Sequence, residues 1–505
     1  MLSFIKTGTT IGLEGVLIDA QIDVAERGFP TFTIVGLPTK GVDEAKDRIR
    51  SAIFNSGFEM PDSRITINLA PADIPKQGSA FDLPMAIGIL CSTGALKQDK
   101  IIHSLFIGEL SLDGKIRRVP GVISIALMAR KQNIDTLYVP LDNALEASYF
   151  HEFIVIPVNT LQELILHLNE EVLISPSPIT SLENRQNTTT YIDFKTIKGQ
   201  YQAKRAMEIA GAGGHNIHLK GVPGAGKTLL SRAFPGILPE MVREEILEVS
   251  QIYSVIGQTS NQGFILERPF RSPHHTTSRI GLIGGGSMPG PGEISLAHRG
   301  ILFLDEFPEF PRSILESLRQ PMEDGEVTIS RAAGTLRFPC RFLLVAASNP
   351  CPCGNYGHPT KKCICISGSI LRYQKRLSGP LLDRIDLHIT IPPVDEEKLM
   401  SDIDAEDSLS IRERVQKARE IQTVRFQGTK IVMNSEMTSH QVKQFCKLEK
   451  DAEDLLRMAY RKLSLSARSY FKVIKVARTI ADLKGEDKIE STSVAEALQY
   501  RPEDI

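Results

Sequence analysis

A glycine-rich motif near the middle of the chain constrains the fold more than any other feature. It reads Gly221, Val222, Pro223, Gly224, Ala225, Gly226, Lys227 and Thr228. A strand-like segment, 216–219, precedes it and a helical segment follows. Glycines let backbone N–H groups turn around phosphate oxygens, and the helix amino end adds partial positive charge. The motif predicts a nucleotide site in which Lys227 reaches the β and γ phosphates and Thr228 ligates Mg²⁺.

Two later apolar segments also end in polar residues. Segment 300–304 is followed by Asp305 and Glu306, and segment 342–347 is followed closely by Asn349. Ligands of open parallel sheets bind at the carboxyl ends of the strands, so we expect these side chains beside the glycine-rich motif. Asp305 is predicted to hold Mg²⁺ and Glu306 to polarise the attacking water. Asn349 is predicted to orient that water or to sense the γ-phosphate.

Length and composition predict a multidomain α/β protein. The chain has 505 residues, too many for one hydrophobic core. We expect a mixed α/β domain over 1–172, a polar linker over 173–190, a parallel-sheet core over 191–395 and a helical domain over 396–505. No apolar stretch approaches the roughly 20 residues of a membrane span, and no secretory signal pattern opens the sequence. We therefore expect a cytoplasmic protein with no membrane partner.

Four of the seven cysteines lie within fifteen residues. They are Cys351, Cys353, Cys363 and Cys365. A reducing compartment disfavours disulfides, and four thiols suit tetrahedral zinc, so segment 351–365 is a candidate Zn²⁺ insertion. The C-x-C spacing is less specific than C-x-x-C, and His358 is an alternative ligand. Free buried thiols and redox chemistry stay open as other interpretations.

The order of these motifs resembles that of the AAA+ ATPases, in particular the branch of the magnesium chelatase I-subunit. The chain as a whole resembles the ComM (YifB) family of DNA branch-migration helicases of bacterial natural transformation. The most specific stretches are 68–76, 271–275, 291–298 and 377–385. The resemblance implies ATP and Mg²⁺ as cofactors, a helical AAA+ lid, self-association into a homohexameric ring, and single-stranded or branched DNA as partner.

Two arginines receive roles from this resemblance. Arg384, in the stretch 377–385, matches the arginine finger that reaches the γ-phosphate held by a neighbouring subunit. Arg468 matches the second-sensor arginine of the lid, which acts in its own subunit or in the next. A structural salt bridge is the alternative role for Arg384.

A short hairpin is the candidate DNA contact. Segments 326–330 and 336–338 are typical of two strands around a Gly-bearing turn. They resemble the hairpin that projects into the central channel of rings in this AAA+ branch, where Arg331 and Arg337 would meet DNA phosphates. An exposed hairpin with solvated arginines is the alternative. The glycine-rich run 279–292 is expected to form a mobile loop at the pore side.

The amino-terminal domain resembles a protease domain but departs from it. Residues 40–123 resemble the Lon proteolytic domain, which uses a Ser and a Lys as a dyad. Ser79 lies near the position of that Ser, whereas segment 119–124 has no lysine. We therefore predict no peptidase activity, and a role in ring assembly or DNA entry. His274 and His275 are adjacent in sequence and are expected to make ordinary loop hydrogen bonds.

Three classes of function follow. The first is a ring-forming, ATP-dependent DNA motor, a branch-migration helicase that promotes DNA integration in transformation and recombination. The second is a magnesium-chelatase-like motor that remodels a protein partner, and the third is a protein unfoldase or protease. The chelatase I-subunit lacks a long Lon-like domain and the paired cysteines, so both features favour the DNA motor.

Overall fold

The computed structural model describes residues 1–26, 28–76, 78–181, 191–259, 263–286, 289–331, 334–393, 406–429 and 431–502. The chain forms two compact units. The first comprises 1–187, 242–266 and 330–338, and the second comprises 188–241, 267–329 and 339–505. Segments 242–266 and 330–338, which we expected in the parallel-sheet core, therefore group with the amino-terminal unit.

The first unit is built on a mixed seven-stranded sheet. In the described residues up to 181, the strands are β1 (Leu2–Ile11), β2 (Glu14–Val24), β3 (Thr31–Val35), β4 (Arg64–Ala70), β5 (Ser104–Phe106), β6 (Glu109–Leu110), β7 (Ile116–Arg117), β8 (Thr136–Pro140) and β9 (Ile154–Val158). Their order in the sheet is β3-β4-β2-β1-β5-β8-β9, while β6 and β7 form a separate antiparallel pair. β2 is antiparallel to both β1 and β4, and the remaining neighbours in the large sheet are parallel.

Helices cover this sheet. They are Lys40–Asp43, Ala45–Asn55, Asp82–Ser92, Val122–Lys131, Ala144–Ala147, Leu161–Leu168 and Arg243–Val255. Helix Asp82–Ser92 is buried along its whole length because its residues are apolar on nearly every side. It packs against β1 and β2 at Gly88, where any Cβ would clash with the side chain of Ile22.

Part of the expected linker is packed against the first unit. The N–H of Ser177 donates to Val155 O at 2.8 Å, and the buried Thr180 places its hydroxyl 2.7 Å from that of Ser148. Residues 182–190 of the linker lie outside the described part of the chain.

The second unit contains a parallel sheet. The remaining strands of the part of the chain that the structure describes are β10 (Ile217–Gly221), β11 (Phe270–Arg271), β12 (Gly284–Gly285), β13 (Gly290–Pro291), β14 (Ile301–Leu304), β15 (Glu326–Arg331), β16 (Gly334–Pro339), β17 (Leu343–Ser348) and β18 (Leu387–Ile391). Five of them form the parallel sheet, in the order β11-β14-β17-β10-β18. β12 pairs with β13, and β15 pairs with β16 as a hairpin.

Helices of the second unit complete its core. They are Tyr201–Gly213, Lys227–Ala233, Arg279–Ile283, Glu293–Leu296, Arg312–Ser317, Arg319–Asp324, Ser367–Gln374, Gly379–Leu382, Ser408–Arg425, Ser439–Phe445, Lys450–Lys462, Ala467–Lys484 and Ser491–Gln499. Ile217 and Leu219 of β10 join the apolar core formed with these helices, whereas His218 and Lys220 line a cavity on the opposite face, as strand alternation requires. The expected fold class, α/β with a parallel sheet and a helical carboxyl-terminal region, is confirmed.

The glycine-rich run 279–292 differs from the expected mobile loop. It contains helix Arg279–Ile283 and the strand pair β12 and β13, and Leu282 is fully buried. One apolar side chain thus anchors a segment whose composition indicated flexibility. Among the described residues, no helix is long and apolar enough to cross a lipid bilayer.

Candidate nucleotide site

The glycine-rich motif forms a loop at the carboxyl end of β10. Gly224 and Gly226 have φ of 80° and 90°, a region that favours glycine, and Gly226 caps helix Lys227–Ala233. At Gly221, a Cβ would lie 2.6 Å from Ile391 O, so only glycine lets β18 approach. Gln200 supports the loop from outside, because its side-chain amide donates to Ala225 O at 3.2 Å.

Lys227 is buried inside this loop. Its Nζ donates to Gly221 O at 2.6 Å, to Val222 O at 3.0 Å and to Asn349 Oδ1 at 3.1 Å. These three acceptors match the three donors of an ammonium group. Burial lowers the pKa of Lys227, and the negative charge of Asp305 opposes that shift. The structure therefore brings Lys227 and Asn349 together, as the strand-end argument predicted.

Thr228 and Asp305 lie side by side at the same edge of the sheet. The Thr228 hydroxyl donates to Asp305 Oδ2 at 2.9 Å, and Asp305 Oδ1 accepts the N–H of Glu306 at 2.9 Å. A hydroxyl and a carboxylate are the oxygen ligands that Mg²⁺ takes beside phosphate oxygens. The donor set at this position therefore fits Mg²⁺.

Glu306 is held by a residue that the sequence analysis did not single out for the site. Its backbone has a φ of 49°, and its Oε2 lies 3.1 Å from Nδ1 of His275. The neighbouring His274 makes the expected local contact, with Nδ1 2.8 Å from the Thr276 hydroxyl. The only signal for His275 in the sequence was its place in the specific stretch 271–275.

Arg384 and Arg468 converge on one carboxylate. Arg384 Nη2 lies 2.6 Å from Glu323 Oε1, and Arg468 Nη2 lies 3.2 Å from the same oxygen. Arg384 Nη1 also donates to Pro380 O at 2.5 Å, while its Nε is buried without a hydrogen-bond partner in the described structure. No motif in the sequence pointed to Glu323.

These two arginines lie at the amino edge of the sheet, opposite the phosphate loop. Asn216, directly before β10, donates from Nδ2 to Arg384 O at 3.2 Å, and its own carbonyl accepts the N–H of Asp386 at 3.1 Å. Lys227 lies beyond the other end of β10. A five-residue strand spans about 16 Å at about 3.3 Å per residue, which separates the two sets of side chains within one chain.

The four clustered cysteines form a compact group. Their sulfur atoms all lie within 4.8 Å of one another, and Cys351 Sγ is 3.4 Å from Cys353 Sγ and 3.7 Å from Cys363 Sγ. Tetrahedral zinc with Zn–S of about 2.3 Å requires S–S separations of about 3.8 Å, so the group fits Zn²⁺. Cys365 is the fourth member.

Backbone donors surround these sulfurs. The N–H of Tyr356 donates to Cys351 Sγ at 3.3 Å. N–H groups of Asn355 and Ile364 lower the pKa of the Cys353 thiol to about 6. The N–H of Cys365 is outweighed by desolvation and by the neighbouring sulfurs of Cys353 and Cys351, which raise the pKa of the Cys363 thiol to about 12, so Cys353 is the thiol that most readily becomes a thiolate. His358, the alternative ligand, instead accepts the N–H of Thr360 on Nδ1 at 3.1 Å and is not part of the group.

The hairpin of β15 and β16 carries the two arginines predicted to contact DNA. The side chain of Arg331 and residues 332–333 lie outside the described structure, while Arg337 is exposed on β16. Leu336 and Phe338 of the same strand approach Gly12 in the turn between β1 and β2. The hairpin exists as the sequence predicted, and the DNA contacts of its arginines stay a prediction.

Ser79 has an acidic neighbour in place of a lysine. Its hydroxyl donates to a carboxylate oxygen of Glu109. The buried Lys76 donates instead to Pro71 O, and burial lowers its pKa. The Lon-like resemblance and the absence of peptidase activity stay predictions.

Taken together, the strand order and the residues at its carboxyl edge define the class: a AAA+ module of the magnesium-chelatase type. The magnesium chelatase subunit ChlI family matches residues 193–399, a second ChlI family matches 21–143, and the ChlI C-terminal family matches 405–501. These matches extend over both compact units.

Full-length relatives narrow the class further. Competence protein ComM of Haemophilus influenzae is 43% identical over 503 residues, 99% of this chain and 97% of its own length. YifB of Escherichia coli K12 is 41% identical over 502 residues, again 99% of this chain and 97% of its own. The ChlI subunit of Olisthodiscus luteus is 24% identical over 235 residues, 43% of this chain and 61% of its own. The chain belongs to the ComM/YifB family.

Proposed function

We propose that this protein is a ring-forming, ATP-driven DNA motor, a branch-migration helicase that promotes the integration of DNA in natural transformation and recombination. The observation that carries this proposal is the division of the nucleotide machinery between two edges of one sheet. Lys227 and Asp305 lie at the carboxyl edge, whereas Arg384 and Arg468 lie at the amino edge beside Glu323. One chain cannot bring both sets to one phosphate, but neighbouring copies in a ring can.

At the carboxyl edge, each group has one task. Lys227 and the N–H groups of the loop hold phosphate oxygens, and Thr228 with Asp305 holds Mg²⁺. When bound, Mg²⁺ neutralises charge on the phosphates. Glu306 accepts the proton of the attacking water, and Asn349, already beside Lys227, orients that water.

At the amino edge, Arg384 and Arg468 serve the next subunit. A guanidinium supplied across an interface stabilises charge that develops on the transferred phosphoryl group. Glu323 holds both guanidinium groups until a neighbouring nucleotide competes for them. Because Arg468 shares its carboxylate with Arg384, we assign it to the same neighbouring site.

DNA is the proposed substrate for two reasons. The relative from Haemophilus influenzae, which aligns over 97% of its own length, carries the name competence protein. The hairpin of β15 and β16 presents the exposed Arg337, and Arg331 lies at the end of β15. Arginines on a hairpin suit sequence-independent contact with phosphates. In this proposal the four clustered cysteines hold a structural Zn²⁺.

The test is ATP hydrolysis by the purified protein with no DNA, single-stranded DNA, duplex DNA and a four-way junction. We expect DNA to stimulate hydrolysis several-fold, and Glu306→Gln to abolish it in every condition. Robust hydrolysis that ignores all DNA would overturn the proposal and favour a chelatase-like motor that remodels a protein. Intact turnover in both Lys227→Ala and Glu306→Gln would show that the site itself is misassigned.

A further inference from the structure

A long stretch of the second half of the chain carries no acidic residue. Between Glu326 and Asp383 the sequence has eight Lys and Arg and not one Asp or Glu, although 60 of the 505 residues are acidic. Three of the eight cations precede the cysteines, and five lie within 351–376. The five are Lys361, Lys362, Arg372, Lys375 and Arg376. A one-sided charge distribution of this kind attracts a polyanion.

The structure places two of these cations on the segment 351–366, here termed the cysteine loop. Lys361 and Lys362 are exposed and lie directly before Cys363. Among the described residues, neither lysine has a carboxylate partner, in contrast to Arg376, which is 2.5 Å from Glu309. Both ammonium groups are therefore available to a ligand.

Large apolar side chains are exposed on the same loop. Tyr356 is 51% exposed and Ile364 is 84% exposed, although both are bulky residues of a loop that is otherwise ordered by its cysteines. Exposed aromatic rings and lysines on one surface are a combination by which proteins hold single-stranded nucleic acid, with phosphates on the cations and a base on the ring. An acidic protein partner would satisfy the lysines but would give Tyr356 no comparable role.

Hydrogen bonds within the cysteine loop order its backbone, and one close approach joins the loop to the nucleotide site. The imidazole of His358 accepts the N–H groups of Thr360 and Lys361, each at 3.1 Å, which orders the backbone beneath the lysines. Gly354 packs on the phosphate loop so closely that a Cβ there would clash with Pro223. The loop therefore adjoins the nucleotide site directly, and Cys351 follows Asn349 by two residues.

We propose that the cysteine loop is a second DNA-binding site, distinct from the hairpin. Lys361 and Lys362 bind phosphates of a DNA strand, and Tyr356 stacks on one of its bases. The cysteine loop contacts Pro223 and continues from Asn349, so a DNA strand bound by this loop lies next to the residues proposed to hold ATP. This inference rests on the proposed DNA motor function and adds a contact to it.

Binding of a fluorescein-labelled single strand to the full-length protein, followed by anisotropy over a range of NaCl concentrations, tests the site. We expect Lys361→Gln/Lys362→Gln to weaken binding at least fivefold at 100 mM salt. The slope of log affinity against log salt should fall by about 1.4, because each contact with a single strand contributes about 0.7. Lys443→Gln/Lys447→Gln removes two exposed charges elsewhere in the second unit and should leave affinity and slope unchanged.

Substitutions of Tyr356 test the proposed base stacking independently of the lysines. Tyr356→Ala should weaken binding of the single strand several-fold more than binding of a blunt duplex, whereas Tyr356→Phe keeps the ring and should bind like the wild type. Equal thermal midpoints and metal contents across the variants show that the loop is folded in each of them.

The outcomes separate the two proposals. In one outcome the wild type binds DNA and Arg331→Ala/Arg337→Ala binds it more weakly, but Lys361→Gln/Lys362→Gln binds DNA as tightly as the control Lys443→Gln/Lys447→Gln. The cysteine loop is then not a DNA site, and the motor proposal stands. If the lysine variant instead loses self-association in sedimentation with DNA affinity unchanged, the loop contacts a second copy of the chain, and the DNA site is overturned. If the wild type binds no DNA, both proposals fail.

Discussion

The imidazole of His275 lies 3.1 Å from the carboxylate of Glu306, measured from Nδ1 to Oε2. An ionised carboxylate only accepts hydrogen bonds, so Nδ1 is the donor. The ring of His275 is itself packed between two others, with its centroid 4.1 Å from that of His274 and its plane at 80° to that of Phe310. Glu306 is the group proposed to take a proton from water. One of its carboxylate oxygens therefore already accepts a hydrogen bond from His275, in the loop that follows β11.

Removal of this contact should change hydrolysis in the absence of DNA. In His275→Ala the carboxylate of Glu306 is free to accept a proton from water, and we expect turnover without DNA to rise by up to about tenfold. That factor corresponds to about 1.4 kcal/mol, near the low end for a hydrogen bond to a charged group, because Glu306 is half exposed. Steady-state phosphate release measures the change.

The control for this variant keeps the donor. His275→Gln retains an N–H that can reach Glu306, so its turnover should stay near that of the wild type. A tenfold loss of turnover in His275→Ala would contradict the expectation and would show that His275 orients Glu306 for catalysis.

The separation of the arginines from the phosphate loop predicts complementation between two inactive variants. Lys227→Ala lacks phosphate binding but keeps Arg384, and Arg384→Ala binds nucleotide but lacks the guanidinium for its neighbour. Each alone should hydrolyse ATP at least a hundredfold more slowly than the wild type. An equimolar mixture should recover a measurable fraction of wild-type turnover, because some interfaces then combine an intact loop with an intact arginine.

A third variant makes the complementation specific. The double variant Lys227→Ala/Arg384→Ala carries both defects in one chain, so its mixture with Arg384→Ala should gain nothing. If that mixture recovered as much turnover as the first, the two edges of the sheet would not act across an interface. The same mixtures with Arg468→Ala in place of Arg384→Ala test the assignment of Arg468.

The phosphate site was predictable from the sequence because its parts obey a local rule. Each of Lys227, Asp305 and Asn349 directly follows a strand or a strand-linked glycine loop, and parallel strands bring their carboxyl ends to one edge. The structure pairs Lys227 with Asn349 and Thr228 with Asp305. The proximity of these residues could be predicted from the strand order alone, without knowledge of how distant elements pack.

The partners of the arginines were not predictable in this way. Arg468 meets Glu323 and Arg384 only because helix Ala467–Lys484 packs against helices Tyr201–Gly213 and Ser408–Arg425, and sequence spacing carries no information on that packing. The glycine-rich composition of 279–292 predicted a mobile loop, but the structure forms a helix there that the buried Leu282 anchors. Both the partners of the arginines and the structure of 279–292 depend on tertiary packing, which local sequence patterns do not encode.

The sulfur geometry predicts one zinc ion per chain. We expect protein purified without chelators to contain about one Zn²⁺, and Cys363→Ser/Cys365→Ser to lose it, because two of four ligands are gone. Cys446→Ala removes a buried thiol from outside the group and should leave the metal content unchanged. Elemental analysis of the folded protein gives the stoichiometry. Metal-free protein whose four thiols all react with a thiol reagent would exclude the site.

A buried and a partly buried histidine on the polar face of the parallel sheet, His218 and His388, predict a dependence of stability on pH. His218 and His388 have ring centroids 5.6 Å apart, and His218 Nε2 lies 2.8 Å from the Ser348 hydroxyl. Burial lowers the pKa of His218 to about 3 and that of His388 to about 4. Both values lie below the value of about 6.5 for an unfolded histidine.

Between pH 6.5 and pH 4 the unfolded chain therefore binds more protons than the folded chain, so stability is present above pH 6.5 and decreases as the pH falls. Two such groups give a slope of up to about 2.7 kcal/mol per pH unit. The chain has no tryptophan, so circular dichroism in urea is the measurement. His218→Gln/His388→Gln replaces both rings with groups that do not titrate, and its urea midpoint should change less steeply between pH 6.5 and 4.5. Equal slopes in variant and wild type would show that other groups govern acid unfolding.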